Sequence, residues 1–185
     1  MERYIIHLKN QSYTPKDAKT LLNKARSLAS DSIVRDSRVS THYIEFDISL
    51  LKNKSIEDFL DKFALIAPLS QYKQVVEKQL EKEEAIKYAR TLFNDERYWE
   101  AHEILEPVWK NSHKEEKDLL NGVILIAAAF VHDEKDESDI CISILERAMK
   151  KLSKASGLYF GMNIDEIKER VSEIVKEGKI KRFSI

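Results

Sequence analysis

Only seven of the 185 residues are glycine or proline, four Gly and three Pro, where average usage would give roughly 12%. Tight turns depend on these two residue types, so the chain has few places to reverse sharply. That argues against a β-sandwich, a barrel or a loop-rich scaffold, and favours long helices. Pro15, Pro68, Gly157, Gly161 and Gly178 fall at expected element ends and joints, whereas Pro107 and Gly122 fall inside expected helices. With 43% hydrophobic and 34% charged residues the chain can build a core and is neither disordered nor membranous. Its length exceeds the usual domain of roughly 100–150 residues, so two modest domains are expected.

The formal net charge is −1, so no global field draws the chain to nucleic acid or to an anionic membrane. Cys141 is the single cysteine, which excludes an internal disulfide and a Cys-based zinc site and fits a reducing cytoplasm. The opening MERYIIHLKN lacks the cationic leader, apolar run and cleavage site of a signal peptide. The longest apolar run, Gly122 to Val131, is about half of the ~20 residues a membrane span needs. A cytoplasmic chain with no membrane partner is the expectation.

Periodicity divides the sequence near residue 76. In the first part, Arg3–Leu8 is rich in β-formers. Thr14 and Pro15 then open a helix carrying Ala18, Leu21, Leu22, Ala25 and Leu28 at helical spacing. Ser32–Val39 is a weakly patterned strand. Thr41–Ile48 alternates cleanly, with Ile44, Phe46 and Ile48 on one face and Tyr43, Glu45 and Asp47 on the other. Ser55 and Asp58 form an acidic capping box for a helix bearing Ile56, Phe59, Leu60 and Phe63, and Leu69–Val76 reads as a fourth strand. The order β-α-β-β-α-β is that of a split βαβ, or ferredoxin-like, sandwich over residues 1–76.

From residue 77 the strand signal stops, and five helices are predicted over residues 78–93, 98–110, 115–132, 140–156 and 165–176. Short polar joints between them favour a compact all-α bundle over 77–185. Residues 1–76 carry 12 basic and 9 acidic groups against 19 and 23 for the rest, too small an imbalance to name a partner.

The second of these helices holds the clearest functional lead, FNDERYWEAHEILEPVWK (93–110). On a helical wheel Tyr98, Ala101, Leu105, Val108 and Trp109 form the apolar arc. His102 lies at its edge with Glu106 one turn later, beside Trp99; Glu103 points further round and Glu100 largely away. Asn94 suits the left-handed end of the preceding helix. Pro107 frees the carbonyl of Glu103. On the next helix Asn121, Leu125, Ala128 and His132 share one line, from which Asn121 and His132 can converge on His102 and Glu106. Gly122 and Ala127–Ala129 are small enough for the two helices to approach closely.

This stretch, with LLNGVILIAAAFVH (119–132) and GLYFGMNIDEI (157–167), resembles the successive signatures of the Domain of Unknown Function 309 family of bacteria and archaea over about residues 85–175. The N-terminal segment lies outside the resemblance. Tyr98, Trp99, Glu100, His102, Glu103, Glu106, Trp109, Gly122, Ala127 and His132 match the family pattern. Leu125 stands where a glutamine is usual, and Asp133–Asp139 replaces a basic stretch. The resemblance implies an all-helical domain and, as some members are labelled, a metal-dependent hydrolase; no established activity comes with it.

Three functional expectations result. The first is a binding or interaction module whose His/Glu/Trp cluster between two bundle helices (Tyr98, Trp99, His102, Glu103, Glu106, Trp109, Asn121 and His132) holds a small ligand or a divalent metal, the metal on His102, Glu106 and His132. The second is a hydrolase in which His102, Glu103 and Glu106 hold a metal; zinc hydrolysis needs about three protein ligands and an open position. The third is RNA binding through Tyr4, His7 or Tyr43 of the N-terminal sheet, weakened by the lack of a basic-aromatic signature. The same sheet is equally suited to pair with a second copy. Against all three stands ordinary packing, in which His102 and Glu106 are a buried pair and His132 is a helix-terminal cation.

Overall fold

The computed structural model describes residues 1–51, 53–76 and 80–185. The chain falls into two units, Met1–Lys78 with Glu134–Asp136, and Gln79–Asp133 with Glu137–Ile185. The junction expected between residues 76 and 77 abuts residues 77–79, which lie outside the described ones.

The N-terminal unit is a four-stranded antiparallel sheet with helices. Strands β1 (Glu2–Lys9), β2 (Ser32–Val39), β3 (Tyr43–Leu50) and β4 (Leu69–Gln74) stand in the order β2-β3-β1-β4. Helix α1 (Ala18–Leu28) follows a single 3-10 turn at Pro15–Asp17, and α2 (Glu57–Ala64) precedes β4. The Thr14 N–H donates to Asp17 Oδ2 at 2.8 Å, which anchors the turn. Ile6 faces Phe46, and Leu8 faces Ile44. Together with Val34, Ile48, Leu21, Phe59 and Phe63 they form one buried cluster, the half-buried alternation of an antiparallel sheet.

The opposite face is buried as well. His7, Arg38, Glu45, Asp47 and Ser49 are each 5% exposed or less. Their charges are paired, mostly across strands. Arg3 donates to both oxygens of Asp47 at 2.8 and 2.5 Å, His7 Nε2 meets Glu45 Oε2 at 2.8 Å, and Arg38 donates to Glu45 and, at 3.1 Å, to Asp36. Alternation identifies which residues share a face; it does not say whether that face meets water. His7 is fully buried.

The second unit is helical: α3 (Lys82–Asn94), α4 (Tyr98–Asn111), α5 (Lys114–Asp133), α6 (Ser138–Leu152) and α7 (Ile164–Glu177). It also contains a hairpin that helical periodicity could not announce, β5 (Leu158–Tyr159) with β6 (Met162–Asn163). Its two-residue turn places both Phe160 (φ 47°) and Gly161 (φ 83°) in the left-handed region, as tight hairpins of right-handed twist require. Gly122 serves close packing, but against α6 rather than α4: an added Cβ would lie 2.5 Å from Leu152 Cγ. The left-handed residue after α3 is Glu96 (φ 56°), not Asn94, which ends the helix. No helix among the described residues is long and apolar enough to cross a membrane.

Candidate functional site

Helix α4 begins on an aromatic anchor. Tyr98 is 1% exposed, with its ring 4.9 Å from Phe93 and 5.0 Å from Phe130. Edge and tilted contacts of this kind each add about 0.5–1.5 kcal/mol beyond simple burial. Tyr98 is thus core, and it orients the first turn.

Glu100 is the residue whose place the helical wheel misjudges. It is 3% exposed, and Arg97 grips both its oxygens at 2.7 and 2.9 Å. Burial alone would lower the Arg97 pKa; the Glu100 carboxylate outweighs that and raises it. A carboxylate can point away from the apolar arc and still be buried when a guanidinium satisfies both oxygens. The Arg97-x-x-Glu100 spacing was the available signal.

His102 and Glu106 do not pair. His102 Nδ1 lies 3.4 Å from Glu103 Oε1, and Glu106 Oε1 lies 3.1 Å from Lys110 Nζ. Lys110 is itself one turn beyond Glu106, in the i, i+4 relation that brings its ammonium onto that carboxylate. Both His102 and Glu106 are half-buried. Helix α4 runs unbroken through Pro107, and Asn111 Nδ2 donates to the Pro107 carbonyl at 3.0 Å.

Trp109 packs against the core, with Lys117 Nζ 5.4 Å from its ring centroid, while its indole Nε1 is buried without an acceptor among the described residues. Trp99 and Asn121 are half-buried. His132 stands in the last turn of α5, its Nδ1 2.5 Å from Glu137 Oε2.

Within the helical unit's described residues, no three His, Cys, Asp or Glu side chains bring ligand atoms within 4.8 Å of one another. His102, Glu103, Glu106 and His132 therefore do not fit a three-ligand metal centre. Cys141 is fully buried and its thiol is pushed up to about 12, first by burial and then by Asp133. It is a core residue with no nucleophilic character.

Residues 86–144 match a family described as a domain of unknown function (DUF309), and the N-terminal region has no family match. A conserved hypothetical protein from Thermus thermophilus is similar in crystal structure. The identity is 28% and the TM-score 0.43, over 49% of this chain and 94% of that one. No curated protein matches the chain.

Proposed function

We propose that this protein is a binding or interaction module whose working surface is the half-buried strip of α4 and α5 bearing Trp99, His102, Glu103, Glu106, Trp109 and Asn121. The observation that carries this reading is the Trp109 indole N–H, which is buried with no acceptor among the described residues. A buried donor without a partner costs about 1–3 kcal/mol, and such a cost is tolerated where a ligand supplies the missing acceptor. Beside it stand an imidazole, carboxylates and the ammonium groups of Lys110 and Lys117, a set suited to a small polar molecule with an apolar part. The hydrolase reading is not favoured, since only His102 and Glu103 meet while Glu106 turns to Lys110.

The organisation we infer is a ferredoxin-like domain over residues 1–76 and a helical domain over 77–185. The strand order β2-β3-β1-β4 with two interleaved helices supports the first assignment. The chain's two tryptophans both lie on α4, so intrinsic emission reports directly on the strip. A panel of small aromatic acids, nucleosides and sugars is titrated while emission is followed. At least one should shift the emission, and His102→Ala and Trp109→Phe should abolish the shift while leaving the melting temperature within a few degrees. Purified protein should hold no stoichiometric metal by elemental analysis, and added Zn²⁺ or Mn²⁺ should not raise the melting temperature. Stoichiometric metal lost in His102→Ala would replace this reading with the hydrolase.

A further inference from the structure

The segment after α7 takes no helical or strand conformation, yet it is docked by specific contacts. Gly178 ends α7 in the left-handed region (φ 65°), with open space around it. The anchors that follow all land on α3 and α5 or the turn after α3. The Arg182 guanidinium bridges two carboxylates, donating to Asp133 Oδ2 at 2.9 Å and to Glu96 Oε2 at 3.0 Å. The Phe183 ring stands 5.5 Å from Phe130 and 6.3 Å from Phe93. Ile185 is 8% exposed.

The Ile185 backbone is read as a backbone. Its N–H donates to Asn94 Oδ1 at 2.8 Å, and its carbonyl accepts from Asn94 Nδ2 at 3.2 Å and from Arg90 Nε at 2.7 Å. One side-chain amide satisfying both the N–H and the C=O of a single residue is how an extended peptide is held irrespective of its side chain. Arg90 reaches that carbonyl by passing Gly161, where any Cβ would lie 2.6 Å from its Nη1. Glu96, one of the two carboxylates on Arg182, holds a positive φ without being glycine, a strain of order 1–3 kcal/mol that persists only where surrounding contacts impose it.

We propose that the α3–α5 groove is a peptide-recognition site for an Arg-Phe-x-Ile segment, filled in cis by residues 179–185 and able to take the same segment from a second copy of this chain. Every receptor group (Arg90, Phe93, Asn94, Glu96, Phe130 and Asp133) lies inside the family match at 86–144, and the segment lies outside it. The groove is thus built by the matched region, and the occupant is a separate piece tethered through an unobstructed glycine. Exchange of an identical segment between copies conserves every contact and is a low-cost route to a dimer. The groove uses none of the residues of the α4–α5 strip, so each can fail without the other.

The test uses full-length chains and a fluorescent peptide of sequence KIKRFSI, residues 179–185. In cis the segment competes at an effective concentration in the millimolar range. The peptide should therefore bind Phe183→Ala at least tenfold more tightly than the unmodified chain, and peptides with Ala in place of Arg or Phe should bind at least tenfold more weakly. If Phe183→Ala loses its thermal transition, Arg182→Ala serves as the weakened-tail chain with the same expectation. No binding at 1 mM peptide to a folded weakened-tail chain overturns the proposal. For the second copy, Glu96→Lys (groove broken, tail intact) is mixed with Phe183→Ala (tail broken, groove intact). Each should sediment as a monomer alone and the mixture should contain dimer; a mixture that stays monomeric overturns exchange between copies.

Discussion

Glu45 shows how far a single carboxyl can be moved when its surroundings disagree. Burial pushes its pKa up, and Arg38 and His7 together outweigh that and hold it at about 2, against an ordinary 4.5. Because the folded value is the lower one, the unfolded chain takes up the proton first as the pH falls. The stability tied to this group is complete above about pH 4.5 and is lost between there and about pH 2. Urea unfolding at pH 3 should therefore show a lower midpoint than at pH 6. Glu45→Gln should be less stable at pH 7, by roughly 3–5 kcal/mol because it strips most of the countercharge from a buried guanidinium, and should lose less on acidification. None of this was legible from the strand pattern, which separates Ile44, Phe46 and Ile48 from Glu45 and Asp47 but is silent on whether the second set meets water. The site on α4 failed to read cleanly for a related reason. Spacing places His102 and Glu106 on one flank; it does not rank Lys110 and Glu103 as competing partners, and those competitors win.

At the scale of elements, the helices and strands with long periodic patterns were legible, and the features that rest on one or two residues were not. Strands β1 to β4 and helices α3 to α7 fall close to the spans their periodicity predicts. The β5–β6 hairpin escaped because two-residue strands carry no period, and only the Phe160-Gly161 pair marked it. Gly122 was visible as a breach of helix propensity, but the sequence does not name the neighbour that requires it. The answer is Leu152 on α6, which makes a sharp prediction. Gly122→Val should destabilise the chain by about 1–3 kcal/mol through overpacking. In a Leu152→Ala background, the same substitution should be much less harmful, with a coupling above about 0.5 kcal/mol in a double-mutant cycle of urea melts. Strict additivity would mean that the two side chains do not meet.

The whole molecule combines two units that differ in how far along the chain their contacts reach. In the helical unit, neighbours in sequence pack on one another, α3 on α4, α4 on α5 and α5 on α6. In the sheet, β1 is central: Glu2 stands opposite Leu50, and Tyr4 opposite Gln74. Folding slows as contacts become less local, so pulse-labelling hydrogen exchange during refolding should find the amides of α5 protected before those of β1. Equal rates for the two would contradict this ordering.

The central position of β1 has a consequence for the order of events in time. Of the four strands of this sheet, β1 is made first and is hydrogen-bonded on both edges, while its partners β3 and β4 are the last two to be made. During synthesis at roughly 5–20 residues per second, β1 waits for several seconds with both edges unpaired, carrying Ile5, Ile6 and Leu8 in an otherwise open strand. An edge of that kind recruits other chains. The newborn chain is therefore most vulnerable to aggregation before it reaches Gln74, and after that residue has emerged the same strand becomes its best-protected segment.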